Sequence, residues 1–226
     1  MSAVAGRLII VGDRVFAEIA YEYFTHDSPY EVVGFAVEAR YRKRDELLGL
    51  PVVDFEAVAA RYDPAEHSVY VALVYTQLNR LRARLAIASK ELGYSLAGYV
   101  SSHAFVWHNV QLGEHCFIFE DNTIQPYVTI GSNVVMWSGN HIGHHSTIRD
   151  NVFVSSHVVV SGGVDVGENS FLGVNSTLVN DIAIGRDTWI GPHVVITRDV
   201  EPGSVYRPAR SEKRDVTSLE LFGLEA

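Results

Sequence analysis

Every sixth residue from Val106 to Ile196 is apolar, sixteen in unbroken succession: Val106, Leu112, Ile118, Ile124, Ile130, Met136, Ile142, Ile148, Val154, Val160, Val166, Leu172, Leu178, Ile184, Ile190 and Ile196. A period of six is neither that of a helix nor that of a lone strand, so it marks an internal repeat. Three residues beyond each apolar position the chain carries Asn, Asp, Gly or His in fifteen of sixteen hexads, Tyr127 being the exception. Those residues best tolerate a positive φ, so this slot predicts a corner. One residue further on, at Val110, Cys116, Val128, Ser146, Val158, Ser170 and Thr188, the side chain is mostly small and shares a face with the next apolar residue. Three short strands and three corners close a triangle of 18 residues. Coils stacked about 4.8 Å apart make a prism roughly 25 Å tall. Each inward aliphatic contributes about 1.5–3 kcal/mol before chain entropy is subtracted. The spacing leaves the hand of the coil open, although parallel crossovers are normally right-handed.

Composition narrows the function classes. The chain has 226 residues and a net charge of −9, which argues against a nucleic-acid partner, since phosphate affinity needs clustered Lys and Arg. Its one cysteine, Cys116, allows no intrachain disulfide, and its slot reads as a packed thiol in a reducing, cytoplasmic protein. The apolar run at residues 8–11 is too short for a signal peptide or a membrane span.

The first hundred residues follow another pattern. Residues 8–11, 32–37, 50–53, 69–75 and 96–100 read as strands, and 15–24, 54–62 and 78–93 as helices, with Asp54 a candidate cap and Leu81, Leu85, Ala88 and Leu92 on one stripe. Alternation of this kind predicts a small α/β domain with a parallel sheet. The expected division is a Rossmann-like domain over 1–102, the repeat over 103–205 and a tail over 206–226. Gly12, which ends the first strand before a helix, reads either as an ordinary tight turn or as part of a phosphate or nucleotide site with Asp13. The full G-x-G-x-x-G is absent. Glu38, after the second strand, reads either as a solvated carboxylate or as a contact to ribose or base.

Ten histidines are candidates for chemistry. His26 and His67 stand without companions and default to the surface. His103 shares a column with His157 and His193. His115, His145, His157 and His193 occupy the corner slot, which explains them by backbone conformation alone. His108, His141 and His144 fall outside it. In steps of 18, His144 shares a column with His108, Pro126, Gly162, Asn180 and Arg198, and Gly163 follows Gly162. The wall beside His144 therefore carries no side chains. A thioester could lie on it, with the Gly162 N–H offered to its carbonyl oxygen and His144 taking a proton from the attacking group. The plainer alternative is an exposed polar residue at a strand edge.

Hexads such as Ile130-Gly131-Ser132-Asn133-Val134-Val135 and Ile184-Gly185-Arg186-Asp187-Thr188-Trp189, within residues 104–201, resemble those of the hexapeptide acyltransferases. The resemblance implies a left-handed parallel β-helix, an exception to the crossover rule, working mostly as trimers with acyl-CoA or acyl-carrier protein. The fold class expected is thus an α/β N-terminal domain with a parallel sheet, followed by an all-β left-handed parallel β-helix. Ser138-Gly139-Asn140-His141-Ile142-Gly143-His144-His145-Ser146 resembles the catalytic segment of the sialic acid O-acetyltransferase and nucleotide-linked amino-sugar N-acetyltransferase branch. That implies a general base at His144. The next position, usually an orienting Asp or Glu in the branch, is His145 here, and Phe153 stands where a second His is common. The resemblance also implies acetyl-CoA held between neighbouring helices of a homotrimer by Gly162, Gly173, Val174 and Gly191, with Pro192 replacing a frequent Gly. It implies a nucleotide sugar bound by the N-terminal domain, where Gly12, Asp13 and Glu38 are candidates, joined by His141 from the repeat. Pro208-Ala209-Arg210 keeps part of the family's terminal motif. Arg207, Arg210, Lys213 and Arg214 could meet CoA phosphates or simply be solvated.

The expected function is acetyl-CoA-dependent acetylation of a nucleotide-linked amino sugar for surface polysaccharide or glycan assembly, with O-acetylation second. Two other classes compete. A carbonic-anhydrase-like zinc enzyme needs an H-x4-H pair plus an earlier His; His103 and His108 have that spacing, whereas His141 and His145 are one residue short, and no metal is expected. The other is a non-catalytic trimeric scaffold.

Overall fold

The computed structural model describes residues 6–225. An α/β layer comes first: β1 (Gly6–Val11), α1 (Val15–His26), β2 (Tyr30–Val37), β3 (Glu46–Leu47), β4 (Leu50–Asp54), α2 (Val58–Arg61), β5 (His67–Val71), α3 (Arg80–Glu91) and β6 (Ser95–Leu96). The sheet order is β3-β4-β2-β1-β5-β6, parallel except for the β3–β4 pair. β1 is central, and Leu8, Ile9 and Ile10 are fully buried, as a strand covered on both faces requires. The chain runs from β1 outward through β2 to β4, then crosses to β5 on the other side, so the strand order reverses beside β1.

Two expectations are corrected here. Asp54 makes no capping hydrogen bond; it pairs with Arg42 at 2.9 Å, and the helix after it is a 3-10 turn followed by four α residues. Residues 96–100 do not form one strand. Leu96 ends the α/β sheet, while Tyr99–Val100 already pairs with Phe117–Ile118. Gly98 between them lies against Cys116, whose carbonyl oxygen would sit 3.3 Å from an added Cβ.

From Tyr99 to Tyr206 the chain is a triangular prism of two-residue strands. Each strand pairs in parallel with the one 18 residues on, as in His141↔Val159 and Thr147↔Asp165, until the last coil, where Trp189↔Val205 and Ile184↔Val200 are 16 apart. The first face has seven strands, the second six and the third five. Fourteen of the sixteen corner slots have positive φ, twelve in non-glycine residues plus Gly139 and Gly163; Asn109 and Asp199, near the ends, do not. From Ile118 to Ile196 the hexad apolar residues are all buried, whereas Leu112 at the open end is exposed. Asn122 and Asn140 replace aliphatics in the small inward slot, and they are buried because they bond to each other at 2.9 Å and to backbone carbonyls of Phe119 and Trp137.

The α/β layer covers the first face. Phe117, Phe119, Val135, Phe153, Trp137 and Phe171 point outward there and share one core with α1. Phe24 and Phe16 meet Phe117 edge-on at 5.8 and 5.6 Å between centroids, pairs worth about 0.5–1.5 kcal/mol each beyond their buried area. A second seam runs along the corner between the third and first faces. Fully buried Arg82 of α3 donates to the carbonyls of Val71 (3.0 Å), Asn133 (2.7 Å) and His115 (2.8 Å). His115 has the positive φ expected of a corner residue, but it does more. Its Nε2 accepts the Val71 N–H at 3.0 Å, so Nδ1 carries the proton and donates to Asn133 Oδ1 at 2.9 Å. Burial, reinforced by the Arg82 charge, pushes the His115 pKa well down and keeps the ring neutral.

Candidate active site

His144 lies at the corner where the second face, ending at Ile142, gives way to the third, beginning at Thr147. The corner is held by its own backbone. Gly143 packs so tightly on the next coil that an added Cβ would lie 2.5 Å from the Gly162 nitrogen. The backbone N–H of His144 donates to Gln125 Oε1 at 2.9 Å, and the N–H of Ser132, in the equivalent slot of another corner, donates to Asp150 Oδ1 at 2.7 Å. These amides therefore point away from the prism axis. Gly162 occupies the same slot one coil above His144, and its N–H finds no acceptor among the described residues.

The His144 ring lies over Gly162, where an added Cβ would meet ring Cε1 at 2.6 Å and Nε2 at 2.8 Å. The column assignment from the sequence is right, but the wall is not bare: the imidazole itself covers the glycine. Gly163 is covered as well, by the Asp181 side chain one coil on.

His145, at φ +58°, turns its ring back toward its neighbour. The two Nδ1 atoms are 3.1 Å apart, which is a hydrogen bond only if one ring donates and the other accepts. On its other side the His145 ring stacks on Tyr127, with centroids 4.8 Å apart and 25° between planes. Neither Tyr127 nor Gln125 is among the site residues expected from the sequence, although Tyr127 is the one corner residue that breaks the Asn, Asp, Gly or His pattern. His141 sits on the adjoining strand, half-buried and paired with Val159 and Thr123.

The other predicted cofactor residues are not beside His144. Gly173, Val174 and Gly191 lie at the corner between the first and second faces. Gly173 N–H and Gly191 N–H are spent on the coil ladder, to Ile190 and Tyr206, and the Trp189 ring comes within 2.9 Å of a Cβ on Gly191. One face, at six residues and about 3.3 Å each, separates this corner from Gly162 by up to roughly 20 Å. Arg207, Arg210, Lys213 and Arg214 are exposed on the tail beyond.

In the α/β layer, Gly12, Asp13 and Glu38 are brought together. They line a cleft of about 250 Å³ with Arg14, Tyr41 and Thr76, at the carboxyl ends of β1 and β2. This is where the strand order reverses, the usual ligand position of such sheets. Gly12 has φ +132°, and a Cβ would meet the Ala72 carbonyl oxygen at 2.8 Å, so the position demands glycine on packing grounds alone. Arg14 caps α1 without a side-chain hydrogen bond; the Ala17 N–H is taken by the Arg14 carbonyl at 2.7 Å, which leaves the Val15 and Phe16 N–H groups open to an anion. Glu38 is not a free solvated carboxylate: Arg84 holds it at 2.8 Å and Arg40 at 3.4 Å. Asp13 faces Arg44 at 3.6 Å. Among the described residues no three His, Cys, Asp or Glu side chains are placed to hold a metal ion, so the pair His103 and His108 gains no third ligand. No helix among them is long and apolar enough to cross a membrane.

No protein-family model and no curated protein matches the chain by sequence. Solved structures do. A histidine-to-asparagine variant of perosamine N-acetyltransferase from Caulobacter crescentus, in complex with CoA and GDP-perosamine, is 25% identical over 95% of this chain and 100% of that one, with a TM-score of 0.79. WeeI from Acinetobacter baumannii (TM-score 0.70, 17% identity, 91% and 99% covered) and the acetyltransferase domain of PglB from Neisseria gonorrhoeae (0.59, 18%, 90% and 98%) share the fold. In repeat and in fold the chain is similar to the hexapeptide-repeat acyltransferases with a left-handed β-helix, of which the perosamine N-acetyltransferase structures are examples.

Proposed function

We propose that the protein transfers the acetyl group of acetyl-CoA to the amino group of a nucleotide-linked sugar. The observation that carries this reading is an imidazole fixed at a prism corner, His144 over Gly162, in a chain whose likeness extends end to end to an enzyme crystallised with CoA and GDP-perosamine. The acceptor amine attacks the thioester carbonyl and its proton passes to His144 Nε2. The carbonyl oxygen gains charge beside the Gly162 N–H. The C–S bond then breaks, and the proton on His144 goes to the departing sulfur, which leaves as free CoA thiol. No covalent enzyme intermediate is required.

The reading includes a homotrimer, for a geometric reason. In a triangle, the corner bearing His144 is opposite the face that the α/β layer covers. A sugar nucleotide in the Gly12–Glu38 cleft of one copy is therefore on the far side of the prism from that copy's own base. A neighbouring copy brings its cleft to this corner, and its Gly173, Val174 and Gly191 to the cofactor. The exposed Arg207 and Arg210 serve the CoA phosphates.

The test is to supply acetyl-CoA with GDP-perosamine and with a set of other 4-amino and 3-amino sugar nucleotides, following free thiol. Release with an amino sugar, and none with its hydroxyl counterpart, supports the proposal. Release only with the hydroxyl sugars makes the enzyme an O-acetyltransferase, and release with none rejects both.

A further inference from the structure

Tyr127 occupies a corner at φ +63°, a conformation that a bulky side chain adopts only at a cost of about 1–3 kcal/mol. Every other hexad corner carries Asn, Asp, Gly or His. Neither apolar burial nor backbone preference explains the choice, because the residue is 62% exposed. Its ring is spent on one contact, the stack on His145. His145 in turn spends its Nδ1 on His144 Nδ1 at 3.1 Å.

We propose that Tyr127 and His145 are positioning residues, an aromatic clamp and a neutral imidazole that fix the ring orientation and tautomer of His144. This deepens the acetyltransfer reading and rests on it. Two Nδ1 atoms share one proton. If His144 donates it, its Nε2, beside Gly162, is left with a free lone pair, and His145 accepts while carrying its own proton on Nε2. The opposite arrangement would put a proton on His144 Nε2 and disable it as a base. The stack on Tyr127 holds the His145 ring in the plane that keeps its Nδ1 aimed at His144, while Gln125 pins the His144 backbone.

The test is Tyr127→Asn, which installs a residue suited to positive φ. We expect Tm unchanged or raised, since strain is relieved, and kcat lowered by about ten- to a hundredfold through lost orientation of the base. KM for acetyl-CoA should hold. His145→Gly, equally at ease at this φ, should show the same split. Imidazole ¹⁵N spectra of the unliganded wild-type protein should show His144 protonated at Nδ1 and His145 at Nε2, with both tautomers mixed in Tyr127→Asn. Wild-type kcat in Tyr127→Asn, or His144 protonated at Nε2, overturns the proposal. The spectra need no substrate, so an inactive protein with the expected tautomers rejects the acetyltransfer reading and leaves the positioning one standing.

Discussion

An imidazole lying on a glycine is a contact that one methyl group disturbs. Gly162→Ala places a Cβ 2.6 Å from His144 Cε1, and a ring at the end of two rotatable bonds yields more readily than the coil backbone. The expected result is a folded protein whose kcat falls about a hundredfold, the scale of a misplaced catalytic group. Undiminished kcat would mean that His144 works from another position. The stacking was legible because 18 residues separate vertical neighbours, so His144 and Gly162 could be matched from the sequence alone. What occupies the space above the glycine was not legible. Period fixes where a Cα lies and leaves χ angles free, so the bare wall filled with the ring beside it.

At the scale of elements, α3 docks on a corner column through polar groups that no periodicity announces. Arg82, within α3, is fully buried among carbonyls and lies over the Tyr70 ring, 5.3 Å from its centroid. Arg82→Ala should cost about 2–4 kcal/mol in urea titrations, because three buried carbonyls lose their donor and a cavity opens. A loss below about 1 kcal/mol would show that the seam is not sealed there. His115 adds a pH dependence of definite sign. Burial lowers its folded pKa, so the unfolded chain binds the proton that the native ring refuses. Its contribution is complete above about pH 6.5, the value of a free imidazole, and is lost as pH falls below that. Burial alone would raise Glu120, but the Ser138 and Tyr23 hydroxyls outweigh it and hold that carboxylate low, so its share is lost only in stronger acid. A His115→Asn variant should flatten stability between pH 7 and about pH 5; an unchanged slope would contradict the neutral ring. The prism strands, by contrast, were readable because each hexad repeats one inward residue and one corner, whereas the α1 contacts with the first face required knowing which outward aromatics the layer would cover.

Over the whole molecule, the Gly12–Glu38 cleft and His144 lie on opposite sides of one prism. A His144→Ala chain and a Gly12→Leu chain should each be inactive: the first lacks a base, and the second fills its own cleft against the Ala72 carbonyl. Co-refolded in mixed oligomers, they should regain activity, since a neighbour's intact cleft meets an intact base. Mixed oligomers without activity would place both halves of the site in one chain. The sequence could not show this, because hexads give the order of faces but not which of them the first hundred residues cover.

The central claim is that His144 removes a proton from a nucleotide-linked amine as acetyl-CoA gives up its acyl group. The most direct measurement is the initial rate of free-thiol release from acetyl-CoA with GDP-perosamine, for the wild type beside His144→Ala, with CoA binding of both followed by calorimetry. The account predicts thiol release by the wild type, a loss of about a hundredfold or more in the variant, and equal CoA affinity. Near-normal turnover in His144→Ala would contradict it.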